Sequence, residues 1–273
     1  MLSTGEPEAD ALLPTLAEGI TAALTPQPGL LGIYLYGSLV SGDFTPGVSD
    51  IDLLAVTNGP VTPEVIARLR PMHEVIVQRF PAWRDRVEVI YAPRQALATF
   101  RTQFSDIGVI SPGEPLHIVS AGSDWLMNWH QVRHGGRVVT GPPAETYVPD
   151  TTLREYVTAV RDHAAAFGEW MPEMRAPRQQ SYAVLTLSRA LYTTHHGHGG
   201  SKAAAAAWLA AAQPRYAPLL ERALRWREVE PDDPAAAERT YPETRRFVRE
   251  MQAEIASGQA SSAHVRGSDE TVR

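Results

Sequence analysis

Two carboxylates one residue apart, Asp50 and Asp52, stand at the head of the apolar run Leu53-Leu54-Ala55-Val56. On a strand, residues i and i+2 point to one face, so both carboxylates crowd one place. Like charges held together resist ionisation, and a divalent cation between them removes that cost. Mg²⁺ is held by one or two carboxylates together with substrate phosphates. The pair therefore points to metal-dependent chemistry on a nucleoside triphosphate. Just upstream lies Tyr36-Gly37-Ser38. Gly37 lets the backbone approach a phosphate closely. Ser38, read as the start of a helical turn, offers its hydroxyl and N–H to phosphate oxygens, with the helix dipole assisting. The plain alternative is a solvated strand edge with a serine cap. Gly-Ser and Asp-x-Asp are each common, but together, between two strand-like runs, they favour the phosphate site.

Three further residues could join that chemistry. Glu88 is the polar member of the alternating run Arg86-Val87-Glu88-Val89-Ile90. It could be a third metal ligand, or a general base on a substrate hydroxyl. The alternative is a solvent-facing glutamate paired with an arginine. Arg189 interrupts the apolar helix Leu185-Thr186-Leu187-Ser188-Arg189-Ala190-Leu191, and must find an anion or reach water. Lys202 follows Gly199-Gly200-Ser201 and could carry an ammonium to a phosphate. On composition alone a surface Arg and a surface Lys explain both. His195-His196-Gly197-His198 looks like a metal tract, but reads as a solvated Gly-rich turn without neighbouring carboxylates. Trp125, Trp129, Trp170, Trp208 and Trp226 occupy helical positions and read mainly as packing.

The elements that must position these residues follow from periodicity. A helix over Ala9 to Leu24 stops before Pro26-Gln27-Pro28-Gly29. Strands are expected over Leu30 to Leu35, Asp52 to Val56 and Arg86 to Tyr91, with a helix from Thr62-Pro63 towards Phe80 between the last two. Less regular stretches give a strand at Leu116 to Val119, a helix capped by Ser123-Asp124 and running to about His134, and a strand at Arg137 to Thr140. This order defines an α/β (α+β) domain with a mixed sheet over residues 1–148. Beyond it, Leu153 to Trp170, Tyr182 to His195, Lys202 to Ala212, Tyr216 to Trp226 and Glu243 to Ile255 all have helical spacing. They form an all-helical domain over 149–257, followed by a Ser-, Gly- and charge-rich tail, 258–273, expected to be disordered.

With 273 residues, 44% hydrophobic and 21% charged, the chain can bury a substantial core. No apolar run reaches the ~18 residues of a membrane helix. The first residues lack the basic-then-apolar pattern of a secretory leader, so a cytoplasmic protein without membrane partners is expected. There is no cysteine, which excludes disulfides and thiolate metal sites. The net charge of −6 speaks against nucleic acid as a partner and suits a cationic small molecule.

With these residues in place, the chain resembles the aminoglycoside nucleotidyltransferases, above all the streptomycin/spectinomycin adenylyltransferases with a helical C-terminal domain. The likeness rests on Tyr36-Gly37-Ser38 through Ser49-Asp50-Ile51-Asp52-Leu53-Leu54, and on Tyr182 through Tyr192, Ser201-Lys202, Ala207-Trp208 and Tyr216-Ala217-Pro218-Leu219-Leu220. Asn128-Trp129 and Gly141-Pro142-Pro143 also match. The resemblance implies a polymerase-β-like nucleotidyltransferase domain that moves AMP from ATP to a hydroxyl of an aminoglycoside or aminocyclitol and releases pyrophosphate. It implies that Asp50 and Asp52 bind metal, with two Mg²⁺ ions, and that Glu88 is the base. It also implies that Gly37, Ser38 and Ser49 contact the nucleotide, and that Arg189 and Lys202 reach the ATP phosphates, in a site between the domains. The family's best-known members carry a carboxylate just before the Leu-Thr-Leu-Ser-Arg helix that helps to hold streptomycin. Here that stretch is Gln179-Gln180-Ser181-Tyr182, and an amide pairs far less strongly with a guanidinium. Two other readings remain at this point: the same fold acting on another acceptor, such as a protein, and a nucleotide-binding regulatory module.

Overall fold

A computed structural model describes residues 3–229, 231, 233 and 235–258. The expected disordered tail falls, from residue 259 onward, outside the described residues. The chain divides into two compact units, Met1–Ala159 and Val160–Arg273.

The first unit begins with helix α1 (Pro7–Leu24), strand β1 (Leu30–Tyr36), the short α2 (Ser38–Ser41) and β2 (Ile51–Thr57). Helix α3 (Pro63–Arg79) then leads to β3 (Val87–Pro93). It continues through α4 (Arg94–Thr99), β4 (Ser105–Ser111), β5 (Glu114–Ala121), α5 (Leu126–Gly135) and β6 (Arg137–Thr140). The sheet has six strands in the order β5-β4-β3-β2-β1-β6. Every neighbouring pair is antiparallel except β2 and β3. A parallel pair needs a crossover, and α3 supplies it. The mixed sheet expected from the sequence is therefore present.

One face of that sheet is the core. Ile33 and Leu35, then Ile51, Leu53 and Ala55, then Val87, Val89 and Tyr91 pack with Leu12, Leu16 and Ile20 of α1 and Val65, Ile66 and Leu69 of α3. Strand alternation sends the intervening residues to the other face, so Tyr36, Asp52 and Glu88 point away from α1 and α3. Helix α5 lies against β1.

Several boundaries differ from expectation. The hairpin of β4 and β5 was legible only at Leu116 to Val119, because β4 (Ser-Asp-Ile-Gly-Val-Ile-Ser) is polar at both ends and carries a central glycine. Ser123 and Asp124 do not cap α5. They start a 3-10 turn, Ser123–Trp125, where Asp124 Oδ1 accepts from Gly122 N at 2.8 Å.

The second unit takes up within α6 (Leu153–Trp170) and continues with α7 (Pro177–His196), α8 (Lys202–Ala212), α9 (Ala217–Glu228) and α10 (Ala236–Ser257). Helix α7 packs against α8, α9 and α10. It begins earlier than Tyr182 and includes His195 and His196, which form its last turn before Gly197 in the left-handed region (φ 76°). Of the expected turn, only Gly197 and His198 lie beyond the helix. Helix α10 likewise begins before Glu243.

Candidate active site

Glycine is required at position 37. Its φ of 71° and ψ of −146° are open to glycine and strained for other residues. A Cβ there would lie 2.0 Å from Asp52 Oδ2. The carboxylate of Asp52 thus rests directly against the Gly37 backbone. Ser38 begins α2, which has only four residues and so contributes little of the helix dipole expected for it. Its Oγ is buried and has no hydrogen-bond partner. A buried hydroxyl without a partner costs free energy unless a ligand completes it.

The three predicted carboxylates converge. Asp50 sits one residue before β2, Asp52 is its second residue, and Glu88 lies beside Asp52 in the parallel β2–β3 register. Their ligand atoms lie within 4.8 Å of one another, and all three side chains are half-buried. Among the described residues this is the one such cluster of three or more His, Asp or Glu side chains. Burial, reinforced by the Asp50 charge, pushes the Glu88 carboxyl up to about 7. Hydrogen bonds from Tyr36 and Ser111 oppose that rise. Tyr36 Oη donates to Glu88 Oε1 at 3.3 Å. Burial first, then Glu88 and Asp52, pushes the Tyr36 phenol well above its ordinary range, so it stays a neutral donor.

An all-oxygen set of three crowded carboxylates fits a hard divalent cation better than a soft one. A bound cation would offset both the burial and the Asp50 charge that raise the Glu88 carboxyl. The orphaned Ser38 hydroxyl and the glycine cradle at the same turn fit an anionic, oxygen-rich partner beside that cation.

Ser49 is placed differently. It is 4% exposed, its Oγ accepts from Thr45 N at 2.9 Å, and its carbonyl is gripped by Arg86 through Nε at 2.9 Å and Nη2 at 2.5 Å. Arg86 also stacks over Trp83, 4.5 Å from the ring centroid. Sequence reasoning had Arg86 only as a strand residue. It holds the turn that delivers Asp50.

In the second unit, Arg189 is half-buried on α7 and Lys202 is the first residue of α8, after the Ser201 cap whose Oγ accepts from Ala204 N. The two glutamines of the departing stretch have separate roles. Gln179 is exposed and its Oε1 accepts from Ala176 N at 3.0 Å, closing the start of α7. Gln180 is 1% exposed. Its Nε2 donates to the carbonyls of Arg175 and Ala237, and its Oε1 accepts from Thr240 and Thr244. Gln180 ties α7 to α10 and has no capacity left for a ligand.

A mixed sheet that brings two aspartates and a glutamate together behind a Gly-Ser turn defines a nucleotidyltransferase, and residues 20–102 match the model of the nucleotidyltransferase domain family. Residues 147–254 match that of the aminoglycoside adenylyltransferase C-terminal domain. The two matches stand in tandem over most of the chain, which belongs to the aminoglycoside adenylyltransferase family. The fold is similar to the crystal structure of spectinomycin adenyltransferase AAD(9) from Enterococcus faecialis with ATP and spectinomycin, with a TM-score of 0.73. That likeness covers 90% of this chain and 99% of the other at 16% identity, so it is a likeness of fold. No curated protein matches the sequence. Among the described residues no helix is long and apolar enough to cross a membrane.

Proposed function

We propose that this adenylyltransferase moves AMP from ATP to a hydroxyl of an aminocyclitol of the spectinomycin type. The observation that carries the reading is the carboxylate cluster with Glu88 raised to about 7, beside the unpartnered Ser38 hydroxyl. A general base works best with a pKa near the operating pH. Glu88 takes the proton of the acceptor hydroxyl. The acceptor oxygen forms a bond to the α-phosphorus, the bond to the bridging oxygen breaks, and pyrophosphate leaves. Gly37, without a side chain, lets the backbone approach the phosphate closely, and Ser38 donates to a phosphate oxygen. Arg189 and Lys202 offset the charge of the triphosphate. Asp50, Asp52 and Glu88 would hold Mg²⁺, as two ions, which when bound neutralises the triphosphate and polarises its α-phosphate.

The acceptor follows from the shape of its cations. Streptomycin presents planar guanidinium groups that pair bidentately with a carboxylate, whereas spectinomycin presents secondary ammonium groups, which single oxygen acceptors can take. Positions 179 and 180 hold amides, one capping a helix and one fully engaged inside the second unit. This favours spectinomycin over streptomycin.

The test is adenylylation with ATP, Mg²⁺ and either drug, read as pyrophosphate release and the mass of the product, beside Glu88→Gln. The expected result is AMP on spectinomycin, little on streptomycin, and none with Glu88→Gln. Transfer to neither drug would refute the acceptor, and a fully active Glu88→Gln would refute the base. A drug-susceptibility panel of a host expressing the protein, beside the same variant, reads the outcome in cells.

A further inference from the structure

We infer that Tyr36 and Ser111 are positioning residues that hold the Glu88 carboxylate from its two sides, and that Asn128 directs the Tyr36 hydroxyl towards it. The inference rests on Glu88 being the base.

The sheet lays out the arrangement. Tyr36 of β1 pairs with Asp52 of β2, and Asp52 pairs with Glu88 of β3. The β3–β4 register runs as far as the Val89–Ile110 pair, and continuing it by one step sets Ser111, at the end of β4, opposite Glu88. Residues directly opposite in neighbouring strands share a face. Tyr36, Asp52, Glu88 and Ser111 therefore form one row across four strands, on the face away from the core. Within it Glu88 accepts from the Tyr36 hydroxyl at 3.3 Å, and the Ser111 side chain on the opposite flank favours its ionised form.

A phenol has one proton to give, and could turn it elsewhere. Asn128 on α5 removes that freedom, because its Nδ2 donates to Tyr36 Oη at 3.4 Å. With its acceptor side taken by an amide, the hydroxyl of Tyr36, 3% exposed, has its proton left for Glu88. The Tyr36 donor orients the carboxylate, and Tyr36 and Ser111 together favour its ionised form, leaving its other lone pairs to remove a proton. Asn128, Tyr36 and Glu88 thus form a chain that runs from a helix through β1 to the base.

The experiment uses the full chain and four variants, Tyr36→Phe, Ser111→Ala, Asn128→Leu and the Tyr36→Phe/Asn128→Leu double, with Glu88→Gln alongside. It measures kcat, KM for ATP, calorimetric affinity for ATP with Mg²⁺, and melting temperature. Tyr36→Phe is expected to lower kcat roughly 10- to 100-fold, the worth of a hydrogen bond to a charged group. KM and affinity should stay within about threefold, because the nucleotide contacts are untouched. Asn128→Leu should lower kcat in the wild-type background, and by less than about twofold once Tyr36 is phenylalanine, since the two act through one path. Ser111→Ala, at a half-buried position, tests the opposite side should Tyr36→Phe fail to fold. Wild-type kcat in Tyr36→Phe and Ser111→Ala, with Glu88→Gln inactive, overturns the positioning role alone. Additive losses in the double variant overturn the part given to Asn128. An active Glu88→Gln overturns the base assignment beneath both.

Discussion

Replacing Gly37 by alanine separates the two things this glycine does. The first is backbone strain. At φ 71° and ψ −146° an alanine costs about 1–3 kcal/mol. For a unit of this size each kcal/mol lowers the melting temperature by about 2–4 °C, so a fall of a few to about 10 °C is expected. The second is displacement. The new Cβ would lie 2.0 Å from Asp52 Oδ2 and 2.5 Å from its Cγ, closer than non-bonded carbon approaches either atom. Relieving that overlap moves the carboxylate by about 1 Å, and a misplacement of that size in a reacting site costs on the order of 100-fold. Mg²⁺ accepts ligands only near 2.0–2.1 Å, so the same shift weakens its binding. Gly37→Ala should therefore fold, melt somewhat lower, lose about two orders of magnitude in AMP transfer, and need more Mg²⁺ for half-maximal rate. The assay is pyrophosphate release over a Mg²⁺ titration, with a melting curve on the same sample. A variant that melts several degrees lower yet keeps wild-type rate and Mg²⁺ demand would show that Gly37 serves the fold alone.

Other outcomes follow from the same geometry. Glu88 titrates near 7 in the fold against about 4.5 when unfolded, so the folded state holds more protons between those values, and stability falls as pH rises through that window. Melting of the metal-free protein should decline from pH 5 to pH 8 by up to roughly 3 kcal/mol more than that of Glu88→Gln, and Mg²⁺ should recover part of the loss; equal slopes would contradict the raised carboxyl. His73, buried on α3 against the Tyr91 hydroxyl at 2.6 Å, is pushed down to about 4 by burial. It contributes stability that is present above about 6.5 and lost as pH falls towards 4; His73→Leu should flatten that acid limb in a melting series while lowering stability at pH 8 by about 1–3 kcal/mol, because Tyr91 loses its partner. Gln180→Glu should destabilise the helical unit by several kcal/mol, roughly the cost of burying a charge and losing two donors, whereas Gln179→Glu should leave the melting temperature within about 2 °C. If Gln180→Glu melts like wild type, the α7–α10 tie is not as described.

Much of this site could be read from the chain because its signals are local. Gly37, Ser38, Asp50 and Asp52 fall within one turn and the strand after it. Alternation left Glu88 a candidate beside a solvent-facing alternative, the family likeness made it the base, and the parallel register of β2 and β3 sets it beside Asp52. What could not be read depends on register between strands distant in sequence. Ser111 lies in β4, whose apolar pattern is interrupted by Gly108, and nothing local marks it as the neighbour of Glu88. Asn128 was visible only as part of a family likeness, since its partner Tyr36 lies on another element. Helix ends misled for a simpler reason. Pro177, Arg178 and Gln179 look like loop residues, but a proline in the first turn and a side chain closing back on Ala176 are how this helix starts.

Hydrogen-bond satisfaction separates functional polar groups from structural ones, but only when combined with position. In the second unit Gln180, Ser181 and Ser188 are buried and each has partners within the protein, as stable packing requires. Three buried side-chain atoms in the described residues have none: Ser38 Oγ, Trp129 Nε1 and Arg161 Nε. Lack of a partner alone would rank them equally. Ser38 differs because its turn also contains a glycine that admits Asp52 at close range, and the strand leaving that turn brings Asp50 and Asp52 to Glu88. A raised carboxyl and an orphaned hydroxyl each cost folding free energy, and the glycine between them admits a backbone no other residue takes without strain. Their coincidence at one strand end is expected where a ligand restores what the fold gives up, and a cation with a polyphosphate can relieve all the polar costs together. The glycine contributes differently: its conformation, strained for any other residue, is the condition that lets the carboxylates stand where that ligand binds.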